Sequence, residues 1–177
     1  MSHKSIYAIA TSEAQANRIL DNLLAAGFST NDISVLFPDK ESTHQFAHEK
    51  NTKAPEGAAV GASAGGVVGG TIGLLAGIGA LAIPGVGPLI AAGPLLAALT
   101  GLGIGAAAGG ITGGLIGLGI PELEAKRYEN RIAEGNLLIS IHAVDGDQVD
   151  RAKKILTDSG AEDISVASMG EAPAPKK

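Results

Sequence analysis

From Gly57 to Ile120 the chain carries no charged residue, with Glu56 closing the polar segment before it and Glu122 opening the one after. Whatever this chain folds into has to bury those residues or give them a partner. Inside the stretch glycine recurs at every fourth position: Gly57, Gly61, Gly65, Gly69, Gly73 and Gly77, then Gly101, Gly105, Gly109, Gly113 and Gly117. Shorter rows run beside these, Gly66 with Gly70 and Gly110 with Gly114. A four-residue spacing places each row on one helical face. Val60, Val67, Val68, Ile72, Leu74, Leu75 and Ile78 occupy other positions of the first half, and Ile104, Ile111, Leu115, Ile116 and Leu118 those of the second. Glycine costs about 1 kcal/mol relative to alanine in an exposed helix interior. Such rows make sense where hydrocarbon forbids unpaired backbone, or where partners pack too closely for a side chain. Ile83-Pro84-Gly85-Val86-Gly87-Pro88, with Pro94 beyond, cannot continue a helix and reads as a turn. The expectation is therefore an apolar helical hairpin, each arm roughly 25 residues long against the ~20 that cross a bilayer. A flexible Gly/Ala linker is the plainer alternative, but the rows are too regular and the aliphatic residues too numerous for it.

At 177 residues the chain has room for one domain with an insertion. A net charge of −5 offers no basic footprint for nucleic acid. Tyr7, Phe28, Phe37, Phe46 and Tyr128 are the whole aromatic complement, too few for a base-stacking platform. No cysteine is present, which excludes disulfides, a thiol nucleophile and cysteine-ligated metal. The first residues, Met1 to Tyr7, have no long apolar run before Thr11-Ser12-Glu13, so no signal peptide is expected.

Two similar units flank the stretch. Ile6, Ala8 and Ala10 alternate with Tyr7 and Ile9 as a strand. Ser12 and Gln15 form a capping box, and Ala16, Ile19, Leu20, Leu23 and Leu24 give a helical stripe ended by Gly27. Ile33 to Phe37 is a second strand, stopped by Pro38. The same order returns with Leu137, Ile139, Ile141 and Ala143, then Asp145 with Gln148. Val149, Ala152, Ile155 and Leu156, then Gly160, and finally Asp163-Ile164-Ser165-Val166, complete it. At an offset of 133, Ile6 falls on Ile139, Ser12 on Asp145, Gln15 on Gln148, Leu23 on Leu156 and Gly27 on Gly160. After a two-residue gap, Asp32-Ile33-Ser34-Val35 falls on Asp163-Ile164-Ser165-Val166. The predicted class is α+β: a ferredoxin-like β-α-β-β-α-β sandwich with the long Gly/Ala-rich helical hairpin inserted between strands 2 and 3. The expected segments are a first half over 1–38, a polar connector over 39–56 and the hairpin over 57–120. A connector helix over 121–136 follows, opened by Pro121, Glu122 and Glu124 and carrying Ala125, Tyr128 and Ile132. The second half covers 137–169, and a tail over 170–177, with Pro173 and Pro175, is expected to be disordered.

Residues that could carry chemistry are sparse. His44 and His48 stand four apart beside Glu41 and Glu49, but no third ligand is evident, and a solvated polar connector is the simpler reading. His142 reads as a surface or interface histidine. The glycine rows contain no G-x-x-x-x-G-K-[ST] and no cation to meet phosphate. Ser63 has neither acid nor base nearby in sequence. No catalytic, cofactor-binding or metal-binding residue is expected, and the chain does not read as an enzyme.

Two flanks nevertheless have a recognisable look. His48-Glu49-Lys50-Asn51-Thr52-Lys53-Ala54-Pro55-Glu56-Gly57-Ala58 leads into the first glycine row, and Gly119-Ile120-Pro121-Glu122-Leu123-Glu124-Ala125-Lys126-Arg127-Tyr128-Glu129 leaves the second. With Asn136-Leu137-Leu138-Ile139-Ser140-Ile141-His142, the chain resembles bacterial general-stress proteins with a glycine-zipper hairpin. These are relatives of the YflT-like heat-induced and the low-temperature-induced proteins. The resemblance implies a stress-induced bacterial protein, often labelled a membrane protein, and brings no catalytic residues with it.

The leading expectation is a structural protein whose hairpin inserts in the bacterial inner membrane and oligomerises through its glycine faces. Lys50, Lys53, Lys126, Arg127 and Arg131 near the hairpin ends would keep both termini cytoplasmic. Membrane lipid and further copies of the chain are the expected partners. The turn has no polar residue to hold it in water, and no Trp or Tyr marks an interfacial belt. These absences support the alternative, a cytoplasmic homo-oligomer (ring, shell or filament) with the hairpins buried between protomers. A small-ligand sensor rests on fold analogy alone, and a pore would have few polar groups to line it.

Overall fold

The computed structural model describes residues 4–38, 79–83, 87–92 and 104–168. Alternation decides its centre. β1 (Lys4–Ala10) turns Ile6, Ala8 and Ala10 to one face of the sheet and Tyr7 and Ile9 to the other, and β5 (Leu137–Ala143) does the same with Leu137, Ile139 and Ile141 against Leu138. These two strands pair antiparallel along their whole length, Lys4 opposite Ala143 through Ala10 opposite Leu137. β2 (Ile33–Pro38) lies on the far side of β5 and β6 (Glu162–Ser168) on the far side of β1, both antiparallel. Tyr7 stands directly opposite Ser140, its own counterpart at the repeat offset, so the two β-α-β units are related by an approximate twofold axis between these residues.

One face is covered by the amphipathic helices α1 (Glu13–Ala25) and α4 (Gly146–Asp158). Ala16, Ile19, Leu20 and Leu23 from the first, and Val149, Ala152 and Leu156 from the second, close a core over Ile6, Ala8, Val35, Ile139 and Ile141. Both helices start on the expected capping boxes. The Ser12 hydroxyl accepts from Gln15 N–H at 3.2 Å and the Asp145 carboxylate from Gln148 N–H at 2.7 Å; each glutamine Oε1 accepts in return from the backbone N–H of Thr11 or Val144. Gly27 and Gly160, with φ +91° and +74°, end the two helices in the left-handed conformation that glycine adopts without a Cβ clash.

The repeat is imperfect where the units meet. Gln15 is buried and its Nε2 also donates to the carbonyls of Ser159 and Gly160, at 3.0 and 2.7 Å, closing the end of α4. At the end of α1, Arg151 from α4 donates to Ala26 O at 3.1 Å. Gln15→Ala is therefore expected to cost about 1–3 kcal/mol, because it strands two carbonyls and an N–H. Gln148→Ala should cost less, which urea denaturation of the two variants compares directly.

The expected ferredoxin-like sandwich with an inserted helical hairpin does not hold. Part of the charge-free stretch forms β3 (Gly79–Ile83) and β4 (Gly87–Ala92), and β4 pairs antiparallel with β2, Val35 opposite Ala92 through Pro38 opposite Leu89. Among the described residues the sheet has six strands, in the order β3-β4-β2-β5-β1-β6. Its second face is also covered, by α2 (Ile104–Gly117) and α3 (Glu122–Ala133), so helices lie on both sides of an antiparallel sheet. Gly87 and Pro88, expected in a turn between helices, belong to β4. The reason is physical: short Gly/Ala/Leu/Ile runs bounded by proline satisfy a strand as readily as a helix, and β2 presents an edge to be paired. Nor is the second glycine row one continuous helical face. Gly110 interrupts α2 at φ 62°, ψ −150°, a conformation open in practice only to glycine. Residues 1–3, 39–78, 84–86, 93–103 and 169–177 are outside the described residues. With them go the polar connector, His44 and His48, the first glycine row, the tip Pro84-Gly85-Val86 and the C-terminal tail.

Candidate functional site

On the second face the strand alternation places a run of hydroxyls among apolar neighbours. The pairing register sets Ser34 opposite Ser140, Ser140 opposite Tyr7 and Tyr7 opposite Ser165, one rung crossing β2, β5, β1 and β6. Ser34 is 3 % exposed, Ser140 8 % and Tyr7 1 %. The rung respects the pseudo-twofold axis, which exchanges Tyr7 with Ser140 and Ser34 with Ser165. Beside it, Ser5 stands opposite a half-buried His142. Sequence reasoning missed this row. Its signal was there in Ser34 and Ser165, which hold one place in the repeated Asp-Ile-Ser-Val.

Buried hydroxyls need partners. The Tyr7 hydroxyl is bonded by Ser5 and Ser140; burial pushes its pKa up, and the two serines pull it back in part. Above the rung, α3 lowers Tyr128 onto β6. Its hydroxyl donates to the carbonyl of Asp163 at 2.7 Å, which leaves the Ser165 hydroxyl to donate to Tyr128 at 2.6 Å. The Tyr128 pKa is pushed up to about 12, first by burial, then by Glu124 and Asp163; the Ser165 hydroxyl and Arg127 oppose the shift. The Tyr7 and Tyr128 rings lie 6.3 Å apart at 39°, within the range of favourable aromatic pairs.

The same stretch of β6 is clamped by charge. Arg131 meets Glu162, Asp163 and Glu134, while Arg127 reaches Asp163 at 3.4 Å. Asp163 has φ 48° and sits in a β-bulge, where the register against β1 shifts between Tyr7 and Ile9. α3 is thus fastened to the sheet by one aromatic hydroxyl and two arginines. Opposite it, Thr112 of α2 donates to Glu129, joining the two helices.

The arrangement orients and fastens. The Tyr7 hydroxyl bonds to Ser5 and Ser140, and the Tyr128 hydroxyl to Ser165 and a backbone carbonyl. Among the described residues no group of three or more His, Asp or Glu is placed to hold a metal ion. A pocket of about 170 Å³ lies where β1, α1, β2 and β5 meet, lined by Thr11, Ser12, Glu13, Phe37, Pro38, Gly135 and Leu137. That is below the roughly 300 Å³ at which small-molecule sites usually begin.

The glycines expected to pack helices are only partly in view. Gly57, Gly61, Gly65, Gly69, Gly73, Gly77 and Gly101 lie outside the described residues, whereas Gly105, Gly109, Gly113 and Gly117 belong to α2. Gly113 is half-buried and Gly117 exposed, so the described end of this row turns partly to solvent. No protein-family model matches the chain, and comparison with curated proteins and with solved structures finds no match either.

Proposed function

We propose that the chain is a non-enzymatic, self-assembling structural protein whose charge-free stretch is buried between copies. One observation carries the reading: where residues of that stretch are described, they form the two strands at one end of the sheet, β3 being its outermost, and a helix on its outer layer. A stretch without charge is thereby delivered to the boundary of the domain. Ile116 at its end is 42 % exposed, and Leu123 just beyond is 74 % exposed. The resemblance to bacterial general-stress proteins fits a scaffold of this kind, with cytoplasmic copies of the chain as its partners. The glycine rows would let backbones of neighbouring copies approach closely.

A second reading, insertion into lipid, draws on the length of the charge-free stretch and on Lys50, Lys53 and Lys126 at its flanks. Arg127 and Arg131, counted with them, are engaged with Glu162 and Asp163. Among the described residues no helix is long and apolar enough to cross a membrane. Sedimentation of the chain released from its host, with and without a carbonate wash, separates the two. The expected result is a detergent-free particle several times the 17.6 kDa of one chain, reduced in size by Gly69→Leu. A monomer would end the assembly reading, and retention in the lipid pellet until detergent is added would favour the second.

A further inference from the structure

The sheet has two rims, and they are built differently. At one, β6 carries the acidic pair Glu162 and Asp163, with Asp163 held in the left-handed conformation of a bulge. Charge and a bulge are the devices that keep a sheet edge from pairing with another chain. At the other rim β3 has neither. Gly79-Ala80-Leu81-Ala82-Ile83 contains no charge and no proline, and it runs against β4 without a register shift. Among the described residues one rim is blunted and the other is a clean template.

The prolines show which groups β3 offers. Pro88 stands opposite Ala82 and Pro38 opposite Leu89. Proline has no N–H, so both fill positions of their ladders where no donor is needed. Alternation then puts Leu81 and Leu89 in the bonded class. It turns the N–H and C=O of Ala80 and Ala82 away from β4, toward the rim, where no described strand meets them.

We propose that β3 is the seam through which two copies of this chain join, strand against strand. The proposal rests on the self-assembly reading and specifies its contact. Charge selects the occupant. The chain carries −5 in total, which repels a second copy elsewhere, but none of its charged residues lies in the stretch from which β3 comes. A charged peptide or a nucleic acid would find no counter-charge on this strand. A second β3 finds matching neutrality, and antiparallel pairing about a twofold axis at Leu81 continues the sheet to twelve strands.

The test is amide hydrogen exchange on the full chain over a range of concentrations, with particle size measured alongside. The Ala80 and Ala82 amides should slow by about tenfold or more as the chain associates, while Leu81 stays protected throughout. Ala80→Pro, which removes an outward N–H and leaves the Leu81–Leu89 pair intact, should halve the particle size. Association with freely exchanging Ala80 and Ala82 would overturn the seam and leave self-assembly standing. So would a folded Ala80→Pro of unchanged size. Protection of Ala80 and Ala82 at every concentration would mean that the chain covers its own rim, which also overturns it. A chain that never associates ends both readings. Where Ala80→Pro does not fold, the exchange pattern of the unaltered chain decides alone.

Discussion

Tyr128→Ala is expected to lower the unfolding free energy by about 3–5 kcal/mol, the usual range for deleting a large buried aromatic side chain. The ring is 1 % exposed and packs with Leu36, Leu115, Ala125, Ile132 and Leu138, so its removal opens a cavity between α3 and the sheet. It also strands the Asp163 carbonyl and the Ser165 hydroxyl. Tyr128→Phe isolates that second part and should cost about 1–3 kcal/mol, since the ring stays and two polar groups lose their partner. Denaturant titrations of both variants measure the two contributions. A Tyr128→Phe variant as stable as the parent would show that the hydroxyl does not hold α3 on β6.

The second large effect is alkaline. Tyr128 has its pKa pushed up to about 12 in the fold, above the 10.0 of an unburied tyrosine, because burial disfavours the phenolate. A group whose pKa is raised on folding stabilises fully below its unfolded pKa and loses that contribution as pH climbs through the folded one. Stability should therefore be level up to about pH 10 and fall between about pH 10 and 12, by about 2–3 kcal/mol from Tyr128 alone. Tyr7, also raised by burial, acts in the same direction. The check is melting temperature against pH, read beside tyrosinate absorbance. Tyr128→Phe should start from lower stability and lose less of it in this window. Equal losses in parent and variant would assign the alkaline fall to other groups.

How much of this was legible in the residues depended on periodicity. The alternation at Ile6, Ala8 and Ala10, the stripe through Ala16, Ile19 and Leu23, and the capping boxes at Ser12 and Asp145 report local structure through side chains. All of them lie in the elements expected. Gly79 to Ala92 misled for the opposite reason. Glycine and alanine carry little side-chain preference, and the four-residue glycine rows stop at Gly77 and resume at Gly101, so nothing local discriminated a helix from two strands. Pairing with β2 decided it, and pairing is a long-range event that no local pattern announces. The hydroxyl rung was hidden differently. Ser34, Ser140, Tyr7 and Ser165 are scattered along the chain, and only the register lines them up. Tyr128 was placed correctly on an amphipathic helix, but nothing local tied its hydroxyl to Asp163 and Ser165.

Lys4 stands opposite Ser168 across the β1–β6 pair, so the first and last described residues emerge together at one corner. That corner belongs to the rim farthest from β3. If two copies meet β3 to β3, eleven strand spacings of about 4.8 Å separate one β6 from the other, on the order of 50 Å along the joined sheet. Labels at this corner of two paired copies would sit about that far apart, whereas labels near the β3–β4 hairpin would lie within a few strand spacings of each other. Energy transfer between paired copies should thus be stronger from reporters near the β3–β4 hairpin than from reporters at this corner.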